Sequence, residues 1–261
     1  GEATGARKIQ QLIAEGLYDK ARQAVNELEQ RQPSNSAGRS RKGAGEAVMV
    51  NYSAARKSYE QALAIKPDSM AVTMNLAELD LREKNPDAAR RRFETILAKD
   101  PSNAEAMLGL AGIAAATGQD PVYVSWLEKT IKAAPALSRP RVLLIKYYLE
   151  KNDAKRALTA ARDAQAVIPE NADVIKGLGA AQLANGDARG AVITYTKYAK
   201  LNSSDAVAQY WLATAQIAAR DMNSARTSLD KALALKPDYQ PAEILLATIE
   251  LDSGRYAEAL K

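Results

Sequence analysis

Residues 231–247 read KALALKPDYQPAEILLA, and residues 61–77 read QALAIKPDSMAVTMNLA. Eight positions are identical, including Leu63/Leu233, Lys66/Lys236, Pro67/Pro237, Asp68/Asp238 and Ala77/Ala247, at an offset of 170 residues. The prolines show what that offset is made of. Pro33, Pro67, Pro101, Pro135 and Pro169 stand 34 residues apart, Ser203 takes the next mark and Pro237 the one after, so 170 is five steps of 34. Two further series keep the same step. One is Ala21, Ala55, Ala89, Tyr123, Ala157, Ala191, Ala225 and Ala259; the other is Leu76, Leu110, Leu144, Leu178, Leu212 and Leu246. A fixed step of this size is the signature of a stacked array of small units.

Each unit reads as two helices. In residues 70–100 the first is MAVTMNLAELDLREK, with Met70, Val72, Thr73, Leu76 and Leu79 at helical spacing. NPD at 85–87 breaks it, and AARRRFETILAKD follows with Ala89, Phe93, Ile96 and Leu97 on one face. Pro101 ends that helix, and Ser102 or Asn103 caps the next. Asp68, Asn171, Asp205 and Asp238 are the caps expected after other proline marks. Gly16, Gly118, Gly186 and Gly254, with Asn85 and Asn152, are expected at the internal turns, because they tolerate a left-handed helix end. The alanines have a mechanical reason: a side chain larger than methyl would hold two crossing helices apart. The first helices offer Ala77, Ala111, Gly179, Ala213 and Ala247 at their own crossing mark, with Ile145 the exception. A lone hairpin of this kind cannot bury its apolar face, so each unit leans on the next.

Composition agrees with a folded helical chain. Apolar residues make up 47% and charged residues 26% of the 261, which excludes whole-chain disorder. There is no cysteine and no histidine, so disulfides, thiol nucleophiles and imidazole chemistry are excluded. No apolar run approaches the roughly 20 residues that cross a bilayer. The net charge of +5 suggests nucleic acid, but it is concentrated: Arg39, Arg41, Lys42, Arg56 and Lys57 face only Glu46 within 36–57. Nucleic acid is therefore an unlikely partner for the chain as a whole. The chain begins GEATGARK and stops in mid-pattern at YAEALK, which reads as a piece of a longer one.

A 34-residue helix–turn–helix unit with Leu-Gly/Ala, an aromatic, an Ala mark and a closing Pro resembles the tetratricopeptide repeat. The resemblance implies an all-α, right-handed superhelical solenoid of about seven hairpins. Its units are a partly degenerate hairpin at 1–35, a unit with an irregular first helix at 36–69, regular units at 70–103, 104–137, 138–171, 172–205 and 206–239, and a partial unit at 240–261. The chain departs from the family pattern where the early Trp is missing and where Tyr123 replaces Ala, with Pro121 in the preceding turn.

Residues 36–51, SAGRSRKGAGEAVMVN, fit the pattern poorly. Gly38, Gly43 and Gly45 crowd the core positions, and Arg39 and Lys42 take apolar marks, yet the Pro33–Pro67 length is kept. A degenerate helix, a basic glycine-rich loop and a corrupted reading of an ordinary helix all satisfy these facts.

Catalytic patterns fail on inspection. Gly38-x4-Gly43 is followed by Ala44 where a phosphate loop needs Lys. GLGAAQ at 177–182 lies inside a helix, and Ser228-x-x-Lys231 lacks its partner motifs. NYS at 51–53 and NSS at 202–204 are formal glycosylation acceptors. The carboxylates lie beside Lys and Arg on helix faces. The expectation is a non-catalytic chain with no cofactor and no metal.

The resemblance also implies a concave groove lined by first helices. Its marks here are Met74, Glu78, Leu81, Glu105, Leu108, Arg139, Val142, Lys146, Leu149, Asp173, Lys176, Leu183, Tyr210, Thr214, Ile217, Ile244 and Leu251. Met74, Glu78, Leu108, Arg139, Lys146, Lys176, Tyr210 and Thr214 are the chosen partner-binding set, which suits an extended peptide or a partner helix. The family's carboxylate clamp is absent, because Glu78, Glu105 and Gly109 hold its marks. The expected function is a protein–protein interaction scaffold. The texture of residues 66–111 is similar to bacterial tetratricopeptide lipoproteins of exopolysaccharide export and PEP-CTERM sorting, which implies the periplasm or envelope. A regulatory module of a larger enzyme is the alternative.

Overall fold

The computed structural model describes the backbone of residues 15–23 and 41–253, and the side chains of 15–23 and 52–253. Residues 15–23 are helical and are labelled α1. The helices that follow are α2 (Arg41–Ile65), α3 (Met70–Arg82), α4 (Pro86–Lys99), α5 (Ala104–Ala116), α6 (Asp120–Ala133), α7 (Ser138–Glu150), α8 (Ala154–Val167), α9 (Ala172–Ala184), α10 (Ala188–Leu201), α11 (Ala206–Ala218), α12 (Met222–Leu235) and α13 (Gln240–Asp252). No strand occurs among the described residues. The fold is an all-α helical-repeat solenoid. First helices begin at Met70, Ala104, Ser138, Ala172, Ala206 and Gln240, each 34 residues after the last. Second helices begin at Pro86, Asp120, Ala154, Ala188 and Met222 on the same step. The chain divides into two compact units, Gly1–Trp126 and Leu127–Lys261.

Helix ends are set by side chains that accept backbone N–H groups otherwise left without partners. Asn103, Asn171 and Asp205 cap first helices by accepting from Ala106, Val174 and Val207. Asn85, Asp153, Asp187 and Asp221 cap second helices in the same way. Two expected caps are one residue early. Ser69, not Asp68, accepts from Val72 N–H, and Tyr239, not Asp238, holds the cap position of α13 without a side-chain bond. Ser102 turns away and donates to Asp100 at 3.1 Å.

The turns within hairpins follow the register more than the residue type. Lys84, Gly118, Asn152, Gly186 and Arg220, again 34 apart, all have positive φ, between 56° and 76°. Asn85, expected in this role, has φ −115° and caps α4 instead. Gly16 lies inside α1, where Leu17, Tyr18 and Ala21 pack on the core; a helical glycine costs only about 1 kcal/mol against alanine. Gly254 and Ala259 lie outside the described residues.

Residues 41–65 form one unbroken helix of 25 residues, so the 36–69 segment shows no turn between two helices from Arg41 onward. Gly43 and Gly45 are accommodated within it. Residues 36–40 lie outside the described residues.

The described members of the alanine series are fully buried. Ala21, Ala55, Ala89, Ala157, Ala191 and Ala225 are at most 1% exposed, whereas Tyr123 at the odd mark is half-buried. Leu76, Leu110, Leu144, Leu178 and Leu212 are buried; Leu246 is half-buried.

The crossing mark is filled in two opposite ways. In the α9–α10 hairpin a Cβ added at Gly179 would sit 2.5 Å from the ring of Tyr195, which is wholly buried. In the α7–α8 hairpin the large residue is Ile145 on the first helix, and its cluster partner on the second is Ala161. Gly177 of α9 then makes room for Ile145, since a Cβ there would lie 3.2 Å from Ile145 Cγ2. Gly109 of α5 likewise gives way to Phe93 of α4.

Polar contacts repeat as well. Thr194 donates to Gln182 at 2.6 Å and Ser228 donates to Gln216 at 2.7 Å. At the same two marks in α3–α4 stand Asp80 and Arg92, paired at 2.8 Å. Asp80, with a side chain 2% exposed, also meets Arg56 of α2 at 2.7 Å. In α7–α8 those marks hold Tyr148 and Ala160, which form no such pair.

Candidate functional site

The eight residues expected in the groove fall on first helices, but the structure places them in different roles. In the unit Gly1–Trp126, Met74 is half-buried and packs on the cluster of Ala77, Phe93 and Leu110. Leu108 is half-buried and Glu78 exposed. In the unit Leu127–Lys261, Arg139 is exposed, and Lys146 is exposed with Glu150 at 3.7 Å. The last three, Lys176, Tyr210 and Thr214, come together.

They meet around Trp211, a residue the sequence reading did not select. The Lys176 Nζ lies 5.3 Å from the centroid of the Trp211 ring, within the range of a cation–π contact. Tyr210 meets Trp211 edge-on at 5.8 Å. The Thr214 hydroxyl donates to the Trp211 carbonyl at 2.6 Å. Two more rings extend the array: Tyr195 stacks on Trp211 at 6.1 Å, and Tyr239 meets Tyr210 edge-on at 5.7 Å. Lys236 sits 5.5 Å from the Tyr239 centroid at the far end. Tyr195 is the buried floor; Trp211, Tyr210 and Tyr239 are half-buried and reach the surface. Ile244, one repeat beyond Tyr210, is 66% exposed.

The local sequence explains the array. Trp211 occupies the mark held by Gly109 and Gly177 in other units, where a neighbour's ring or Ile145 takes the space. At α10–α11 the wide indole instead lies against the Tyr195 ring. The signal was available: one of only two tryptophans, directly after Tyr210.

The chemistry of the array is that of a surface. Burial raises the Tyr195 phenol above its ordinary range. Burial first, then Tyr210 and the Asp205 carboxylate, raise Tyr239. Both phenols are thereby held in the neutral form, and that of Tyr195 donates to the Lys176 carbonyl at 3.4 Å. Among the described residues no cluster of three or more carboxylates could hold a metal ion, and no helix is long and apolar enough to cross a membrane. Arg56, from the basic stretch, is engaged by Asp80 and Glu83.

Comparison with known proteins follows the same line. Two family models, both described as tetratricopeptide repeat, match the chain, one at residues 51–94 and 80–121, the other at 142–206 and 210–261. Together they span more than half of it. The chain belongs to the tetratricopeptide repeat family. Solved structures agree in fold. The C-terminal part of a tetratricopeptide repeat protein from Cytophaga hutchinsonii has a TM-score of 0.67 at 17% identity, over 80% of this chain and 88% of that one. A tetratricopeptide repeat protein from Parabacteroides merdae scores 0.61 at 13% identity, over 95% and 90%. YrrB, described as a tetratricopeptide repeat protein with an unusual peptide-binding site, scores 0.57 at 18% identity, over 72% and 96%. No curated protein matches. A tetratricopeptide repeat fold is that of a protein–protein interaction scaffold, and members of the family bind peptides or proteins.

Proposed function

We propose that this tetratricopeptide repeat chain is a non-catalytic scaffold that holds a peptide or partner protein on the surface of its first helices. The observation that carries the reading is the array of Lys176, Trp211, Tyr210 and Tyr239, in which half-exposed rings and a lysine occupy successive repeats. Aromatic rings of this kind dominate binding energy at protein interfaces. Arg139 and Lys146 extend the surface with positive charge, and Thr214 supports it. Met74, Glu78 and Leu108 are the corresponding positions in the other unit. The proposed division keeps the 34-residue step from 70–103 to 206–239, preceded by 36–69, whose described part holds the single long helix α2, with terminal units at 1–35 and 240–261.

The peptide-binding description of YrrB supports the class of ligand through fold alone. Service in a bacterial envelope assembly such as exopolysaccharide export rests on the texture of residues 66–111. The test is affinity capture with the wild-type chain and with Lys146→Glu combined with Lys176→Glu. Loss of the specific partner in the variant supports the assignment, and an unchanged set of partners rejects it.

A further inference from the structure

A second site lies between α6, α7 and α8, away from the aromatic array. Arg141 is 7% exposed. Its Nε donates to the Pro135 carbonyl at 2.8 Å. Among the described residues no carboxylate lies within 4 Å of it, and its terminal NH2 groups have no hydrogen-bonding partner. These NH2 groups are not shut away from water: they open onto the cavity that Arg141 lines, where a ligand would take the place of solvent. The repeat shows how unusual Arg141 is. The same mark holds Thr73, Met107 and Ile175, all buried and uncharged, then half-buried Gln209 and exposed Glu243, so at this mark Arg141 alone is both charged and buried.

Arg141 lines a cavity of about 200 Å³ with Glu128, Ile131, Leu144, Ala160 and Asp163. Its space comes from Ala160, because the same mark carries Arg92, Thr194 and Ser228 in other hairpins. One wall is apolar, from Ile131, Leu144 and Ala160. The guanidinium is fixed within, while Glu128 and Asp163 are exposed at the rim. A simple anion would gain the guanidinium and be repelled by two carboxylates. A simple cation would meet the opposite conflict. A small molecule carrying a carboxylate, an ammonium and a short aliphatic chain satisfies every wall.

We propose that this cavity binds a free α-amino acid with an aliphatic side chain. The ligand carboxylate accepts from the Arg141 NH2 groups, its ammonium faces Glu128 and Asp163, and its side chain lies on Ile131, Leu144 and Ala160. The size suits one amino acid, below the roughly 300–1,000 Å³ of drug-sized sites.

The test is calorimetric titration and thermal unfolding of the full chain with L-valine, set against acetate, n-propylammonium and inorganic phosphate. L-valine binds and raises the Tm; each single-charge probe binds at least about 10-fold more weakly, because one charge-assisted pair is lost. Arg141→Met abolishes L-valine binding. Ala160→Thr also abolishes it by filling the cavity, and this variant folds because Thr194 already occupies the mark. Lys176→Glu leaves it unchanged, which separates this site from the peptide surface. The proposal is overturned if L-valine shows no binding at about 10 mM, a concentration that detects even millimolar affinity. It is equally overturned if acetate or phosphate binds as tightly as L-valine, or if binding survives both Arg141→Met and Ala160→Thr.

Discussion

The hairpins α7–α8 and α9–α10 occupy the same place in the repeat and solve one packing problem with opposite residues. In α9–α10 the second helix supplies the bulk, Tyr195, and the first supplies none, Gly179. In α7–α8 the first helix supplies Ile145, and the second only Ala161. What the repeat conserves is thus the volume between two helices, shared across a pair of marks. The difference spreads outward. Tyr195 provides the floor on which Trp211 stacks, and so the array of Trp211, Tyr210 and Tyr239 is built beside α9–α10. Ile145 calls instead for the gap at Gly177.

The largest test of this contrast is Tyr195→Ala. Loss of a wholly buried ring should cost about 3–5 kcal/mol in urea unfolding and abolish the stacked environment of Trp211 in its fluorescence. Ala161→Gly, at the same mark in α7–α8, should cost only about 1 kcal/mol. Next comes Gly179→Ala, whose methyl meets an immobile ring and should destabilise by about 2 kcal/mol. Gly177→Ala, at 3.2 Å from a methyl that can shift, should stay within about 1 kcal/mol of wild type, since helix propensity offsets the crowding. In the Tyr195→Ala background Gly179→Ala should become stabilising; a cycle without coupling would break the shared-volume account.

Alkaline titration distinguishes the hairpins by charge. The Tyr195 phenol is raised in the folded state by burial. Its stabilising contribution is therefore complete below the ordinary phenol range near pH 10, and is lost as pH climbs toward the raised value. Tyr195→Phe should flatten that loss, measured by urea midpoints above pH 10, while substitutions at Ala161 should leave its slope intact. The smallest effects belong to the turns. Gly186→Ala should cost about 1 kcal/mol, because φ is +76° there. Asn152→Gly should gain only a few tenths, about 0.3 kcal/mol, since asparagine already tolerates this conformation. Arg220→Gly, with φ +63°, should gain about 1 kcal/mol in Tm-derived stability.

The 34-residue step made the helices legible, since caps, alanines and leucines recur at positions that packing cannot vary freely. The finer geometry was less legible for identifiable reasons. Composition suggested that Asn85 would take the left-handed turn, yet the hairpin imposes positive φ one residue earlier, on Lys84. Asp68 and Asp238 looked like caps by residue type, but the first free N–H groups are presented one position later, to Ser69 and beyond Tyr239. The glycines of residues 36–51 left a degenerate helix, a loop and a corrupted helix open; from Arg41 onward α2 continues through Gly43 and Gly45. Of the groove residues, Lys176, Tyr210 and Thr214 converge, whereas Met74 contributes to a core. Trp211 and Arg141 escaped notice because their marks vary from unit to unit, from Gly109 and Gly177 to Leu245 at one and from Thr73 to Glu243 at the other, so a reading that sought agreement among repeats passed over the positions that disagree.

The Asp80 carboxylate has a consequence for how the array can be divided. It belongs to α3, yet it contacts Arg56 on α2 and Arg92 on α4, and its side chain is 2% exposed. A truncation after Ile65 or before Pro86 would separate the members of that triad and leave at least one charge without its partner. Modular shortening, in which one repeat is removed as an independent block, therefore has a forbidden zone at this end of the protein, and deletion series should start beyond Lys99.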